Sequence, residues 1–125
     1  MRFEAALLGF AVISSGCASG GNPQAAAHVE MREGVKAAQR SYWQEALFRF
    51  ERARNLNPTN GEVLNNLAVA LEALGRYDEA LAAYKKALQD TPKSNMIRKN
   101  YARFAEFYTS YAKGVKPKED SDAPR

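Results

Sequence analysis

From position 63 apolar residues recur every three or four places: Val63, Leu64, Leu67, Ala68, Leu71 and Leu74. That spacing lines one face of a helix. Gly75-Arg76 breaks the run, and Tyr77, Ala80, Leu81, Tyr84, Ala87 and Leu88 then give a second buried face at the same spacing. Thr91-Pro92 stops this helix, because proline donates no backbone hydrogen bond and disfavours helical geometry in the residue before it. The preceding stretch has the same layout. One helix runs to about Arg40, a turn falls near Ser41, and Trp43, Ala46, Leu47, Phe50, Ala53 and Leu56 follow before Asn57-Pro58. Asn22-Pro23 suits the start of its first helix, an N-cap followed by proline at the first helical position. Ser94 caps a last helix from Asn95 to about Ala112, whose predicted core face is Ile97, Tyr101, Phe104, Ala105, Tyr108 and Ala112. Residues 113–125 have mixed charge and no periodicity, and read as a disordered tail.

Aligned on itself, the chain matches at an offset of 34 residues: Ala46 with Ala80, Leu47 with Leu81, Ala53 with Ala87, Pro58 with Pro92 and Val35 with Val69. Conservative pairs extend the register, among them Gly34 with Ala68, Trp43 with Tyr77 and Phe50 with Tyr84. In this period, and in Leu64, Leu67, Ala68, Leu71, Gly75, Tyr77, Ala80, Tyr84, Ala87 and Pro92, the chain resembles the tetratricopeptide repeat. Ala68 and Ala80 lack bulk, so the paired helices can approach closely, while Leu71 and Tyr84 fill the space left between them. The resemblance implies an all-α solenoid of two repeats, residues 23–58 and 59–92, plus a capping helix over 93–112. The first repeat carries Glu30 and Glu33 where the second has Leu64 and Leu67. A terminal repeat has no neighbour on its outer side, so charge there is tolerated and blocks further stacking.

Ahead of the repeats, Ala5 to Ile13 is a short uncharged run behind Arg2, too short to span about 30 Å of hydrocarbon as a helix. It suits an export signal over residues 1–16. The small residues leading from Ile13 to Cys17 resemble a bacterial lipobox, with Ser14 at the position that is usually Leu or Val. The resemblance implies a lipid on Cys17, a linker over 17–22, and anchoring to the membrane through buried methylene groups. With Ala18 rather than Asp next, it also implies sorting to the outer membrane, facing the periplasm. Ordinary cleavage after Gly20 is the alternative.

Composition removes most chemistry. Lys and Arg total 18 against 14 acidic residues, a net charge of +4 that is no nucleic-acid signature. Cys17 and His28 are the sole residues of their kinds, which excludes multi-cysteine zinc sites and an internal disulfide. There is no glycine-rich phosphate loop and no second histidine to build a catalytic site. The expectation is a protein with no catalytic residue, cofactor, metal or small-molecule substrate.

Function then rests on the groove that the first helices of such repeats line. By helical phase and family resemblance its wall includes Met31, Arg32, Val35 and Gln39, then Asn65, Asn66, Val69 and Ala73, then Met96, Lys99, Asn100, Arg103 and Phe107. Asparagine amides suit a peptide backbone, and Arg32, Lys99 and Arg103 suit an acidic or terminal carboxylate. Some family members clamp a terminal carboxylate with Lys, Asn and Arg. Asn66 and Lys99 partly match that clamp, but the first helix offers no Lys-Asn pair. Phe107 and Tyr111 fall toward the edge of the last helix, as aromatic contacts to a partner would. The main reading is a protein–protein adaptor that holds a peptide or helix of an envelope assembly. It is similar in layout to the lipoproteins assisting type IV pilus secretin assembly, which carry more repeats. The alternative is a soluble periplasmic module that self-associates through its last helix.

Overall fold

The computed structural model describes residues 20–114; the expected signal segment, Cys17 and residues 115–125 of the expected tail lie outside them. Five α-helices follow in order: α1 Pro23–Gln39, α2 Trp43–Leu56, α3 Gly61–Ala73, α4 Tyr77–Asp90 and α5 Asn95–Ala112. No strand occurs among the described residues. The Asn22 side chain accepts from the Gln24 amide at 3.0 Å with Pro23 behind it. Ser94 Oγ likewise accepts from the Ile97 amide at 3.3 Å. Asn60 does the same for α3, taking the amides of Glu62 and Val63 at 2.9 and 3.2 Å. Each cap satisfies donors that the first helical turn leaves free.

Helices α1 and α2 form one hairpin and α3 and α4 the next; α3 packs on α2, and α5 closes over α4. The first helices also meet side by side, α1 with α3 and α3 with α5. The chain is therefore an all-α solenoid of two helical hairpins and a lid. One apolar cluster runs through it from Ala37, Leu47 and Phe50 through Leu67, Ala68 and Leu71 to Tyr84 and Phe104. Leu64, Ala87 and Ile97 form a smaller cluster at the other end of the second hairpin.

Close approach has visible causes. A methyl group on Gly34 would come within 2.5 Å of the Phe50 ring, so the first hairpin packs only because that side chain is missing. Gly75 turns with φ at +74°, and Ser41, at the equivalent turn, adopts +61°. Both lie in the left-handed region that glycine enters at little cost.

The outer edge of the first hairpin is neutralised as well as charged. Glu30 is only 8% exposed and is held by Arg49 at 3.2 Å and Arg52 at 2.8 Å, both on α2. Glu33 faces solvent and pairs with Lys36 at 2.9 Å. Within α5 the expected core face is short by one residue at its end: Ala112 is exposed, since α4 supports the lid only as far as Tyr108 and Tyr111. None of the described helices is long and apolar enough to cross a membrane.

Candidate peptide-binding groove

Two adjoining pockets open on the face that α1, α3 and α5 share. The first, of about 310 Å³, is lined by Val35, Ala38, Gln39, Trp43, Phe50, Asn66 and Val69. The second, of about 430 Å³, is lined by Trp43, Val69, Glu72, Ala73, Tyr77, Arg103 and Phe107. Trp43 and Val69 belong to both and form the ridge between them. A larger space, about 580 Å³, opens on the opposite side between α2 and α4. Its floor is Leu64, Leu67 and Leu71, each no more than 4% exposed, and Arg54, Glu79 and Lys86 stand around it.

The second pocket holds its charges in check. Arg103 donates from Nη1 and Nη2 to the two carboxylate oxygens of Glu72, at 2.8 and 3.0 Å. Glu72 also accepts the Tyr84 hydroxyl at 2.9 Å, so a fully buried ring fixes the carboxylate from below. The bond to Glu72 raises the Arg103 pKa further, and the guanidinium stays charged. Burial, and next the bond to Glu72, holds the Tyr84 hydroxyl well above the ordinary tyrosine range. Aromatic rings close the far side: Tyr77 meets Phe107 edge-on at 4.9 Å and Tyr111 at 4.8 Å.

A chain of amides braces the wall. Asn100 Nδ2 donates to Asn65 Oδ1 at 3.0 Å, Asn65 Nδ2 donates to Asn66 Oδ1 at 3.2 Å, and Asn66 Nδ2 points at the Met31 sulfur at 3.9 Å. The chain spans α5, α3 and α1 and uses one amide N–H of each asparagine.

Of the residues expected in the groove, Val35, Asn66, Val69, Arg103 and Phe107 line the pockets, with Gln39 and Ala73 beside them. Met31 supports Asn66 from α1. Arg32 and Lys99 are exposed, one turn from the pockets along their helices. One expectation is corrected. Asn65 is 2% exposed and bonded on both sides, so it ties α3 to α5 and presents nothing to a ligand. Arg103 is paired to Glu72 through two of its N–H groups, while its side chain stays 59% exposed in the pocket wall. Trp43 and Tyr77, assigned by periodicity to the buried face, stand half-buried in the pocket walls. Each is the first residue of its helix, where one side of the ring is left open. Glu72 was not singled out by the sequence; its partners lie 12 and 31 residues further on, beyond any local pattern.

Residues 37–105 match the tetratricopeptide repeat family model, more than half of the chain, and the chain belongs to that family. Among curated relatives, Photosystem I assembly protein Ycf3 of Synechococcus sp. (strain WH7803) is 34% identical over 99 residues, covering 77% of this chain and 57% of its own length. The protein of that name from Prochlorococcus marinus (strain MIT 9211) is 38% identical over 77 residues, covering 59% and 44%. The chain thus spans little more than half the length of the first of these relatives. Among solved structures, the Arabidopsis OM64 TPR domain superposes with a TM-score of 0.66 at 24% identity, covering 74% of this chain and 75% of that one. A point mutant of MamA gives 0.59 at 27% identity, with 71% and 65% covered.

Proposed function

We propose that this chain is a non-catalytic adaptor that holds a segment of another protein during assembly, in the groove between α1, α3 and α5. The observation that carries this reading is the pair of pockets joined at Trp43 and Val69, open on the face where the first helices meet. Membership of the family supports protein binding, and the word "assembly" in the name of the cyanobacterial relatives supports the setting. A photo-crosslinking residue placed at Val69 in living cells tests it. Crosslinks to a defined protein from Val69, and none from Phe48 on α2, are the expected result. Crosslinks from Phe48 alone would move the interface to the opposite edge.

We further propose that the repeats are tethered at the cell envelope through a lipid on Cys17, facing the periplasm in an outer membrane. The support is the small-residue run ending at the sole cysteine. Mass spectrometry of the purified protein decides it: a diacylglyceryl mass on Cys17 is expected, and a free terminus at Gly21 overturns it. Self-association through the last helix draws less support. Phe107 packs against Tyr77 within the molecule, and Tyr111, 51% exposed, is the main aromatic left open on α5.

A further inference from the structure

The helices α1, α3 and α5 run parallel and in register. Met31 meets Asn66 and Asn65 meets Asn100, each partner 35 residues further along the chain. Their starts at Pro23, Gly61 and Asn95 therefore lie at one end of the solenoid, with the links 57–60 and 91–94 that lead into α3 and α5. The hairpin turns at Ser41 and Gly75 lie at the opposite end.

The two ends handle charge differently. Near the turns most cations are answered: Lys36 by Glu33 at 2.9 Å, Arg49 by Glu45 at 2.7 Å and Arg76 by Glu79 at 2.6 Å. At the link end Lys93, Arg98 and Lys99 are exposed, and Arg54 stands in the last turn of α2. None of these four forms a salt bridge among the described residues. Asp90 is taken by Lys86 at 2.6 Å, and Glu62 is the one acidic residue in the first turns of α1, α3 and α5. Two large apolar side chains are also open there, Leu56 at the close of α2 and Met96 at the start of α5, 37% and 49% exposed.

Pro23 follows Cys17 by six residues, a reach of at most about 22 Å. A lipid on Cys17 thus brings the link end, and not the turn end, to the bilayer. Each basic side chain that reaches an anionic headgroup layer strengthens binding by about fivefold. Exposed aliphatic side chains beside those charges enter the interfacial region. The groove is left clear, because Val69 and Arg103 each lie eight residues past the start of their helices, about 12 Å along the axis.

Resting on the tether reading above, we infer that the link end is a membrane-facing surface that sits on anionic phospholipid headgroups. Lys93, Arg98 and Lys99 supply the charge, Arg54 adds to it from α2, and Met96 and Leu56 enter the interface. The solenoid then stands on the bilayer by the starts of its first helices, with the groove pockets held above the headgroups.

The test is flotation of the full chain, carrying Cys17→Ser so that no lipid is attached, with vesicles of phosphatidylcholine alone or mixed with phosphatidylglycerol. The apolar run of residues 5–13 is uncharged and contributes alike to both vesicle types. A preference for the anionic vesicles that weakens with added salt is expected. Lys93→Glu with Arg98→Glu should lower affinity for them at least tenfold. Arg40→Glu with Lys113→Glu makes the same change in net charge away from the link end, and should lower it less than threefold. Circular dichroism checks that both double variants keep their helices. Equal losses in the two would show that total charge alone is felt, and overturn the inference. Equal binding to both vesicle types also overturns it, and leaves the patch to an acidic protein partner. The tether reading is judged separately by the mass at Cys17: lipid there without any vesicle preference sinks only this inference, and a free Gly21 with the preference intact sinks only the tether.

Discussion

The two hairpins solve one packing problem with different residues. In the second, Leu64 and Leu67 are buried against neighbours on both sides, because α2 lies before α3 and α5 after it. In the first, the same positions hold Glu30 and Glu33, and nothing among the described residues stacks before α1. Charge is tolerated at the edge by being paired: Glu30 lies between two arginines of α2, one of which also takes Glu45 at 2.7 Å. A repeat's residues are thus set by its place in the array as much as by its own fold.

The largest break in this comparison comes from moving the edge solution inward. Leu67→Glu puts a carboxylate where the leucine is 2% exposed and packed within the apolar core. Leaving a buried charge uncompensated costs about 3–5 kcal/mol, against a total stability of about 5–15 kcal/mol for a typical domain. Thermal unfolding followed by circular dichroism should show the midpoint lowered by about 12–40 °C, at about 4–8 °C per kcal/mol for a domain of this size. The reciprocal change, Glu33→Leu, alters an open position and should move stability by no more than about 0.5 kcal/mol. Equal effects from the two substitutions would show that the hairpins are not distinguished by their neighbours.

Next in size is the close contact that glycine permits. Gly34→Ala drives a methyl into Phe50, a contact of 2.5 Å to one ring carbon and 2.7 Å to another. Overpacking of this kind costs about 1–3 kcal/mol, and the better helix propensity of alanine returns about 1 kcal/mol of it. A lowered urea midpoint with unchanged slope is the expected result. The second hairpin accommodates Ala68 at the equivalent position, in the same apolar cluster as Tyr84. Sequence periodicity shows that small residues belong at these positions. It does not show which hairpin is the tighter one.

A smaller effect separates Tyr84 from Phe50. With the tyrosine's folded pKa raised above its ordinary value near 10, the unfolded chain ionises first as pH rises. The folded state binds the proton more tightly, so this contribution is complete below pH 10 and is lost progressively above it. Chemical denaturation at several pH values should show stability falling from about pH 10 upward. In Tyr84→Phe that part of the decline should disappear, at a cost of about 1 kcal/mol at neutral pH for the lost bond to Glu72. An unchanged alkaline decline would place its source elsewhere among the tyrosines.

How much was legible beforehand follows the range of the interactions involved. Helix limits, caps and the repeat register depend on residues a few positions apart or at one constant offset, and both leave a pattern in the chain. Asn22, Ser94, Pro58 and Pro92 announced boundaries that the helices keep within a few residues. The groove wall was legible as a set of faces, which placed Val35, Asn66, Val69 and Phe107 together. Pairing within that wall was not. Arg103 looked free because Glu72 lies 31 residues away on another helix, and Asn65 looked available because Asn100 stands 35 residues off. Trp43 and Tyr77 carry the right spacing for a core, and only the open helix start exposes their rings.

The smallest difference between the hairpins lies in their turns, and it isolates backbone strain from packing. Ser41 and Gly75 are equivalent under the repeat, and both adopt the left-handed backbone, at φ of +61° and +74°. Both are exposed, and a methyl group on Gly75 would meet no atom within 4 Å, so side-chain contacts contribute little to any change there. A residue with a β-carbon held in this region costs about 1–2 kcal/mol relative to glycine, an amount reduced by the greater freedom glycine has when unfolded. Ser41→Gly should therefore stabilise the chain, and Gly75→Ala should destabilise it, each by about 1 kcal/mol or less. Combined, the two changes should nearly cancel in the melting temperature, because the turns share no contact and distant substitutions add. If Ser41→Gly instead lowers stability, the serine is contributing something at the first turn that its φ angle does not explain. The two hairpins would then differ in their loops as well as in their faces.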